Sequence, residues 1–478
     1  MPLILGTNSI KDTGYDVANS LRFNDGSSDY LNRTPSSSGN RKTFTFSVWL
    51  KRSLSGNSTI FTAGYNQNNV STLKFDANDK ISLFEYDGNT DYAILTNRVF
   101  RDFSSWYNII LRVDTTQSTA NNRVRLYVNG VQETDVTTNT QPSQNYDGLY
   151  NSNIAHYIGR YGWNTNEYFG GYMSEIVFID GSSLDPTSFG EFDEDSPTIW
   201  KPIDVSGLTF GTNGFYLDFE NSGSLGADVS GNSNNFTVNN LTSVDQCIDT
   251  CTNNYALING LVKNKSYNDG SLAEGNTYFA PDGRAISVSS IGVTKGKWYA
   301  EFKTQDAGAL YVGCGLMRGL DALSDGGMSN PIFYDNNPSY AIGYGADGSL
   351  QYNTTSASYG SGFSDNNIVG ISLDMDNKEM YISVNGTLQN SGDPTSGSSK
   401  TGGVTGSTSY NPFDDGDEIF FFVSDFSAGG VGKCFHNYGN PAYSVVGGNT
   451  DANGHGNFTY AVPSGYFALC TKNLSEFG

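Results

Sequence analysis

The feature that most constrains this chain is the alternation of apolar and polar residues that recurs in short segments. In the segment 44–51, Phe44, Phe46, Val48 and Leu50 fall on one side. Successive side chains of an extended strand point to opposite faces, so this pattern predicts a strand with one buried face. The same alternation returns in 108–114, 123–129, 297–303, 369–373 and 380–384.

Turn signals separate these segments. Asn129-Gly130 and Asn385-Gly386 each follow a predicted strand, and both residue types accept the positive φ of a tight hairpin turn. Ile419–Val423 is apolar on both faces, which is typical of a central strand. Asp185-Pro186 predicts a single short helical turn, and no segment of about a dozen residues has helical periodicity. We therefore predict an all-β chain of antiparallel β-sandwiches or jelly rolls.

The length of 478 residues exceeds what one core supports and suits two or three domains. Residues 1–20 lack a strand pattern and are predicted to form an N-terminal arm, followed by a first sandwich over 21–195. Frequent Gly, Asn, Ser and Pro residues break the pattern in 196–262, an irregular connector in which 214–219 is predicted to return a strand to the first sandwich. A second sandwich is expected over 263–478.

The net charge of the chain limits which classes of partner it can bind. Forty-nine acidic and 27 basic residues give a formal net charge of −22. A field of this sign repels phosphate backbones, so we expect no nucleic-acid partner. No segment approaches the roughly 18 apolar residues that span a bilayer, so no membrane insertion is expected. The apolar run in Met1–Gly6 is too short for a signal-peptide core.

The five cysteines, Cys247, Cys251, Cys314, Cys434 and Cys470, are too few and too scattered for a disulfide framework. Most are expected to be buried free thiols. Cys247 and Cys251 lie four positions apart without a neighbouring His, which makes a poor zinc site and leaves a local disulfide as the alternative.

Two families resemble successive parts of the chain. Residues 21–190 resemble a laminin-G-like (concanavalin A-like) domain, and residues 275–475 resemble a SPRY domain. The first resemblance is carried by Phe44–Lys51, Trp106–Ile109, Val124–Gly130 and Tyr172–Ile176. The second is carried by Gly296–Phe302, Val369–Asp376, Tyr381–Gly386 and Pro463–Tyr466. Both resemblances imply concanavalin-like sandwiches.

The connector is similar to the one that joins these two domains in structural proteins of marine tailed phages. The similarity is carried by Gly214–Phe219 and Asp228–Thr237, and it extends to Asp249–Asn254, where Cys251 replaces a proline of the family. The resemblance implies a virion protein, either a tail fibre or receptor-binding protein or a capsid decoration. Such a protein is assembled in the host cytoplasm and released by lysis.

The resemblance also implies partners. Other virion proteins would hold the chain, and a host cell-surface glycan or protein would be its ligand. A homo-oligomer suits a fibre, although the sequence has no coiled-coil heptads. A bacterial surface adhesin is a further alternative, which the lack of a signal segment disfavours.

A glycan-degrading enzyme is the alternative from another class, because concanavalin-like folds also host glycosidases. These enzymes need two carboxylates on one strand. The nearest match is Glu191–Asp195, but Ser196-Pro197 follows at once and favours a loop. Among His156, His436 and His455, none accompanies a nucleophile elbow. We therefore expect a binding protein without enzymatic activity.

Calcium is the one cofactor that the oxygen-rich turns would suit. These turns are Asp76–Asp79, Asp87–Asp91 and Asp414–Glu418, and the candidate ligands are Asp87, Asn89 and Asp91. Asp, Asn and Gly residues also build ordinary turns, so the cofactor-free alternative stays open.

Aromatic residues among Gly and Asn are the candidate ligand-binding residues. The first group is Tyr161, Trp163 and Tyr168, and the second is Tyr334 and Tyr340. Sugar rings stack on aromatic faces while amides bind their hydroxyls. The alternative is that these rings fill the ends of the sandwiches.

Overall fold

The computed structural model describes residues 14–163, 167–262, 271–283, 285–316, 341–352, 355–405, 412–414, 416–425, 427 and 429–478. The chain divides into two compact units, the first spanning Asp12–Asn253 and the second containing Asn254–Gly478. Both are built of antiparallel sheets, so the predicted all-β class is confirmed.

The first unit contains two eight-stranded sheets and a short ribbon. Its strands are β1 (Ser20–Phe23), β2 (Tyr30–Arg33), β3 (Thr43–Arg52), β4 (Ser58–Asn66), β5 (Asn69–Phe75), β6 (Lys80–Asp87), β7 (Thr90–Val99), β8 (Tyr107–Asp114), β9 (Val124–Val128), β10 (Val131–Gln132), β11 (Val136–Thr140), β12 (His156–Ile158), β13 (Gly171–Asp180), β14 (Gly190–Phe192), β15 (Trp200–Pro202), β16 (Phe215–Leu217), β17 (Thr237–Asn239) and β18 (Gln246–Cys247).

The order of strands defines two sheets. Sheet A runs β10-β9-β8-β3-β13-β1-β18, with β16 also paired to β13. Sheet B runs β11-β7-β6-β5-β4-β12-β2-β17, and β14 pairs with β15 in a separate ribbon.

The alternation read from the sequence sets the faces of sheet A. Phe44, Phe46, Val48 and Leu50 of β3 all belong to the core of the first unit. There Phe46 stacks on Phe61 of sheet B with ring centroids 4.5 Å apart. A second apolar cluster covers the other face of sheet A. It contains the side chains of β8, β9 and β13 that alternate with their core residues, and it is completed by residues from 189–216.

The segment predicted as a connector is largely part of the first unit. The strand predicted in 214–219 is observed as β16, which pairs with β13. Farther along, β17 pairs with β2 and β18 pairs with β1. A fully buried ion pair joins Lys51 of β3 to Asp249, which follows β18. These contacts fasten the segment to both sheets.

The boundary between units falls nine residues before the predicted one, between Asn253 and Asn254 instead of between 262 and 263. Backbone bridges explain the shift, because Tyr255 pairs with Cys470 and Ile258 pairs with Ser289. At the other end, the predicted arm of 1–20 overlaps β1, which begins at Ser20. Val17, within that arm, is already buried and donates its N–H to Thr252.

The described residues of the second unit form two further sheets and a short C-terminal helix. Its elements are β19 (Ser271–Ala273), β20 (Tyr278–Ala280), β21 (Ala285–Val288), β22 (Lys297–Asp306), β23 (Leu310–Leu316), β24 (Ala341–Gly345), β25 (Ser349–Tyr352), β26 (Thr355–Ser358), β27 (Ile368–Asp374), β28 (Glu379–Val384), β29 (Thr387–Leu388), β30 (Ile419–Asp425), β31 (Lys433–Asn437), β32 (Phe467–Ala468) and α1 (Thr471–Phe477).

Sheet C runs β19-β20-β31-β22-β27-β28-β29, with β32 added in parallel to β22, and sheet D runs β21-β30-β23-β24-β25-β26. The core of this unit contains Trp298, Phe302 and Phe421. The segment predicted to be central, Ile419–Val423, is buried throughout and lies between two neighbours in sheet D. The sequence prediction did not include α1, whose Leu474 packs into the core.

The turns follow the predicted chemistry. Asn129 and Gly130 adopt φ of +48° and +76°, and Asn385 and Gly386 adopt +49° and +76°. Residues Pro186–Ser188 form the predicted short helical turn. Other 3₁₀ turns are Asp25–Ser27, Ala120–Asn122, Ser243–Asp245, Gly397–Ser399 and Pro412–Asp414.

All five cysteines are free, and each except Cys251 is fully buried. The local disulfide weighed for Cys247 and Cys251 is therefore not formed. Within the described ranges, no helix has the length and apolar content needed to cross a membrane.

Candidate functional site

A groove on the outer face of sheet B, built from described residues, is a candidate site. Strand β6 provides its floor because its side chains alternate strictly. Leu83 and Ile81 point into the core, whereas Ser82, Phe84 and Tyr86 are half-buried on the outer face. An outward pair of aromatic rings on one strand gives the groove its apolar character.

Neighbouring strands extend the same face. The pairing register places Ala93 of β7 opposite Phe84, and Leu95 opposite Ser82. Val70 of β5 lies opposite Tyr86, on the side away from β7. At the edge, Thr138 of β11 pairs with Leu95. The floor is thus mostly apolar, with hydroxyl groups at Ser82 and Thr138.

Glu85 fixes which side of β6 faces outward. This carboxylate is buried and accepts hydrogen bonds from the Leu149 N–H at 2.9 Å, the Tyr146 hydroxyl at 2.8 Å and the Tyr92 hydroxyl at 3.2 Å. Burial raises the pKa of Glu85, and the hydrogen bonds oppose that rise. A register slip of one residue would break all of these bonds and turn Phe84 and Tyr86 inward.

The loop between β12 and β13 forms the wall of the groove. Tyr161 is buried, whereas Trp163 is 43% exposed, and their ring centroids lie 6.1 Å apart at an angle of 61°. Gly162 lets the loop lie directly on the sheet, because a Cβ there would approach the Thr62 methyl group to 2.9 Å. The backbone N–H of Tyr161 donates to the Glu167 carbonyl at 3.1 Å, which closes the loop.

The groove has a volume of about 610 Å³. Aromatic rings, aliphatic side chains, amides and hydroxyls line it together: Gln67, Asn68, Val70, Ser82, Leu83, Phe84, Tyr86, Thr90, Ala93, Ile94, Leu95, Thr138, Tyr161 and Trp163. A mostly apolar cleft with a few polar groups is the usual composition of a small-ligand site.

The structure brings Tyr161 and Trp163 together but separates Tyr168 from them. Tyr168 pairs with Arg160 and packs beside Tyr30 at 6.3 Å, outside the groove lining. The Arg160 guanidinium lies over the rings of Tyr30 and Tyr157 at 4.8 and 5.0 Å. The predicted ligand-binding residues Tyr334 and Tyr340 lie outside the described residues.

The candidate calcium ligands Asp87, Asn89 and Asp91 form the β6–β7 hairpin turn. The Asp87 N–H donates to the Asn89 carbonyl and to a carboxylate oxygen of Asp91, both at 3.1 Å. Among the described residues, no group of three or more His, Cys, Asp or Glu side chains could hold a metal ion.

The other oxygen-rich turns have different surroundings. Asp79 accepts from Arg52 at 3.0 Å and from Arg101 at 2.9 Å, so these cations already balance its charge. Residue 415 of the turn at 414–418 lies outside the described residues.

The carboxylates of Glu191–Asp195 lie on the ribbon of β14 and β15, apart from the groove. Lys201 of β15 forms ion pairs with Glu191 at 3.4 Å and with Asp193 at 3.3 Å. Glu191 belongs to strand β14 and residues 193–195 follow that strand, so the segment is a strand end of the ribbon and the loop expected from Ser196-Pro197 begins only after Phe192.

His156 in the first unit and His436 in the second unit are buried and hydrogen-bonded. His156 accepts from the Asn151 N–H at 3.0 Å, and burial lowers its pKa to about 4. His436 lies between Ser287 and Tyr438 at 3.1 and 3.0 Å, and burial lowers its pKa to about 3. Neither ring lines the groove.

Sequence reasoning missed the floor of the groove, including Phe84, Tyr86, Ala93 and Leu95. The signal available was the run Phe84-Glu85-Tyr86, in which aromatic residues flank an acid on a strand. With Phe84 and Tyr86 on the outer face, alternation places Glu85 inside, against the usual preference of acidic side chains for solvent.

Comparison with known proteins agrees with the fold of the first unit. Residues 25–185 match the family model Laminin_G_3, described as the concanavalin A-like lectin/glucanases superfamily. A search of curated protein sequences found no match.

Three solved structures are similar to the chain at low identity. Domains LG4-5 of the mouse laminin alpha1 chain share 10% identity, covering 97% of this chain and 89% of that chain with a TM-score of 0.31. The heptameric SAP-like pentraxin from Limulus polyphemus shares 13% identity, covering 36% and 79%, with a TM-score of 0.27. The SPRY domain of human HERC1 shares 17% identity, covering 34% and 87%, with a TM-score of 0.24.

The family match covers β2 to β13, which make up most of sheets A and B and include the floor and the wall of the groove. Residues 25–185 are therefore similar to a laminin G-like domain of the concanavalin A-like lectin/glucanases superfamily.

Proposed function

We propose that this chain is a non-enzymatic binding protein that recognises a host-surface glycan through the groove on sheet B, displayed on the virion of a tailed phage. The observation that carries the binding role is the exposed Trp163 ring, which lines one groove with Phe84 and Tyr86.

The groove suits a sugar chain better than a peptide side chain or a lipid. Its aromatic rings offer faces for the C–H groups of a sugar ring, and Gln67, Asn68 and Thr138 offer hydrogen-bonding groups at the rim. The volume of about 610 Å³ lies within the usual range for ligand sites.

The lining also supports binding without hydrolysis. Among the described residues that line the groove, none is Asp or Glu. Hydrolysis by paired carboxylates needs an acid and a second carboxylate flanking the scissile bond. A reducing-sugar assay on any glycan that binds would reveal the alternative, a glycan-degrading enzyme, by release of new reducing ends.

The virion setting rests on the resemblance of the domain order and connector to phage structural proteins. Other virion proteins are the partners in this proposal, and the second unit carries the SPRY-like part. Immunogold labelling of phage particles tests the setting. Label at the tail tip supports receptor binding and label over the capsid supports decoration, whereas unlabelled particles contradict a virion role and favour the adhesin.

The binding role is tested by substitution of the exposed ring. Trp163→Ala removes the stacking surface, and we expect the Kd for a bound oligosaccharide to rise at least about tenfold in titration calorimetry. Phe192→Ala is the matched control, because Phe192 is 42% exposed in the same unit but lies on the ribbon. Equal affinities of the Trp163→Ala variant and the parent would contradict the proposed site.

A further inference from the structure

We propose that the groove selects uncharged glycans and excludes those that carry carboxylate, sulfate or phosphate groups. This inference rests on the proposed glycan-binding function and narrows the ligand to one chemical class.

The lining of the groove is uncharged. The described residues that line it include no Lys, Arg, His, Asp or Glu side chain. Lys, Arg, Asp and Glu make up 16% of the chain, so the groove is poorer in charge than the chain as a whole. An anionic sugar would lose water in the groove without gaining a cationic partner, which is costly.

The lysine beside the wall of the groove is already paired. Lys74 of β5 lies opposite Ser82 of the floor, and its ammonium lies 5.2 Å from the centroid of the Tyr161 ring. The same ammonium forms an ion pair with Glu167 at 2.7 Å, and both side chains are largely buried. Because Glu167 already balances the charge of Lys74, this lysine is a poor site for a ligand anion.

The electrostatic field around the groove is negative. Asp87 and Asp91 flank the turn between the two floor strands, next to Tyr86 and Thr90 of the lining. The formal net charge of the chain is −22. These charges repel an approaching polyanion, whereas a neutral glycan experiences no such barrier.

The test is a set of hexasaccharides that differ in charge, presented to the full chain on an array. The neutral probes are cellohexaose, mannohexaose and N-acetylated chitohexaose, the anionic probes are hexagalacturonate and a κ-carrageenan hexasaccharide, and the cationic probe is deacetylated chitohexaose. We expect binding to be confined to neutral probes, to be lost in Trp163→Ala and to be kept in Phe192→Ala.

The dependence on salt gives a second readout. The Kd for a neutral probe should change less than about twofold between about 50 and about 500 mM NaCl, because no ion pair with the ligand is screened. A charged ligand held by a counter-charge would bind much more weakly at the higher salt concentration.

The outcomes separate this inference from the function on which it rests. Binding of an anionic or cationic probe that Trp163→Ala abolishes would overturn the selection for uncharged glycans and leave glycan binding by the groove in place. Binding of no probe, or binding that Trp163→Ala leaves unchanged, would overturn both.

Discussion

Glu175 is a buried carboxylate held in an unusual backbone conformation. It lies in the bulge of β13 between Ser174 and Val177, with φ of +49°. The hydroxyl of Tyr216 donates to it at 2.7 Å, and that of Tyr15, in the segment predicted as an arm, at 3.3 Å. Burial raises the pKa of Glu175 to about 7, and the two tyrosine hydrogen bonds only partly oppose the rise. The charged form is thus disfavoured in the folded chain.

This shift predicts a defined dependence of stability on pH. Because the folded pKa of about 7 lies above the ordinary value of 4.5, Glu175 contributes stability below pH 4.5 that is lost as the pH rises through 7. Relative to a Glu175→Gln variant, the free energy of unfolding of the parent should fall by about 3 kcal/mol over this range. Urea unfolding of both proteins at pH 5 and pH 8 measures the difference.

Glu194→Gln serves as the control, because Glu194 is exposed on the loop after β14. The difference in unfolding free energy between Glu194→Gln and the parent should be the same at pH 5 and at pH 8. If the difference between Glu175→Gln and the parent also stayed constant with pH, that result would contradict the raised pKa of Glu175.

In the β9–β10 hairpin turn, Gly130 satisfies both a backbone requirement and a packing requirement. Gly130 has φ of +76°, and a Cβ there would lie 2.5 Å from the ring of Trp200 on the ribbon. The Trp200 Nε1–H donates to the Asn108 side chain at 3.1 Å, so this ring is held in place. The turn therefore requires glycine for two separate reasons.

A pair of glycine substitutions separates those reasons. Gly88 has φ of +80° in the β6–β7 turn, with nothing within 4 Å of a built Cβ. Gly88→Ala should cost about 1 kcal/mol of unfolding free energy from backbone strain alone. Gly130→Ala should cost about 3 kcal/mol, since overlap with Trp200 adds to the strain. Equal losses in chemical denaturation would show that Trp200 does not constrain the turn.

The elements were predictable from the sequence where one face of a strand is plainly apolar. The alternation in β3, β8 and β9 and the turn residues Asn129-Gly130 were sufficient for these strands and the hairpin. The floor of the groove was not predictable in the same way, because β6 has apolar residues on both faces. Which face is inside depends on Glu85 and its partners Tyr92, Tyr146 and Leu149. Tyr146 and Leu149 lie 61 and 64 residues away from Glu85 in sequence.

Across the whole chain, the two compact units meet between Asn253 and Asn254, whereas the sequence predicts a border between residues 262 and 263. The border at 253 and 254 could not be read from composition, because 254–262 is as irregular as the segment before it. Its membership is decided by packing, since Ala256 and Ile258 are each 2% exposed in the core of the second unit.

Two fragments of the second unit test that border. We expect the fragment 254–478 to unfold cooperatively, and the fragment 263–478 to melt at least about 5 °C lower, because it lacks the buried side chains of Ala256 and Ile258. It also lacks Tyr255, whose hydroxyl accepts the Gly456 N–H at 3.1 Å. Calorimetric melts of the two fragments and the full chain provide the comparison. Identical melting temperatures would place the border at the position predicted from the sequence.

The groove is also a property of the whole first unit, because it combines strands and a loop that are distant in sequence. Tyr161 and Trp163 were predictable as candidate ligand-binding rings in a Gly- and Asn-rich loop, although Tyr161 is buried and Trp163 is exposed. Their meeting with Phe84 and Tyr86 was not, since it depends on the order of strands in sheet B.

Hydrogen exchange of the full chain with and without a neutral hexasaccharide that binds tests the central claim most directly. The account predicts slower exchange in peptides covering 67–70, 82–95 and 161–163, because these segments line the groove. Peptides from the ribbon of β14 and β15 and from the second unit should be unchanged. Protection confined to the second unit, or spread over sheet A with none at 82–95, would contradict the assignment of the ligand site to sheet B.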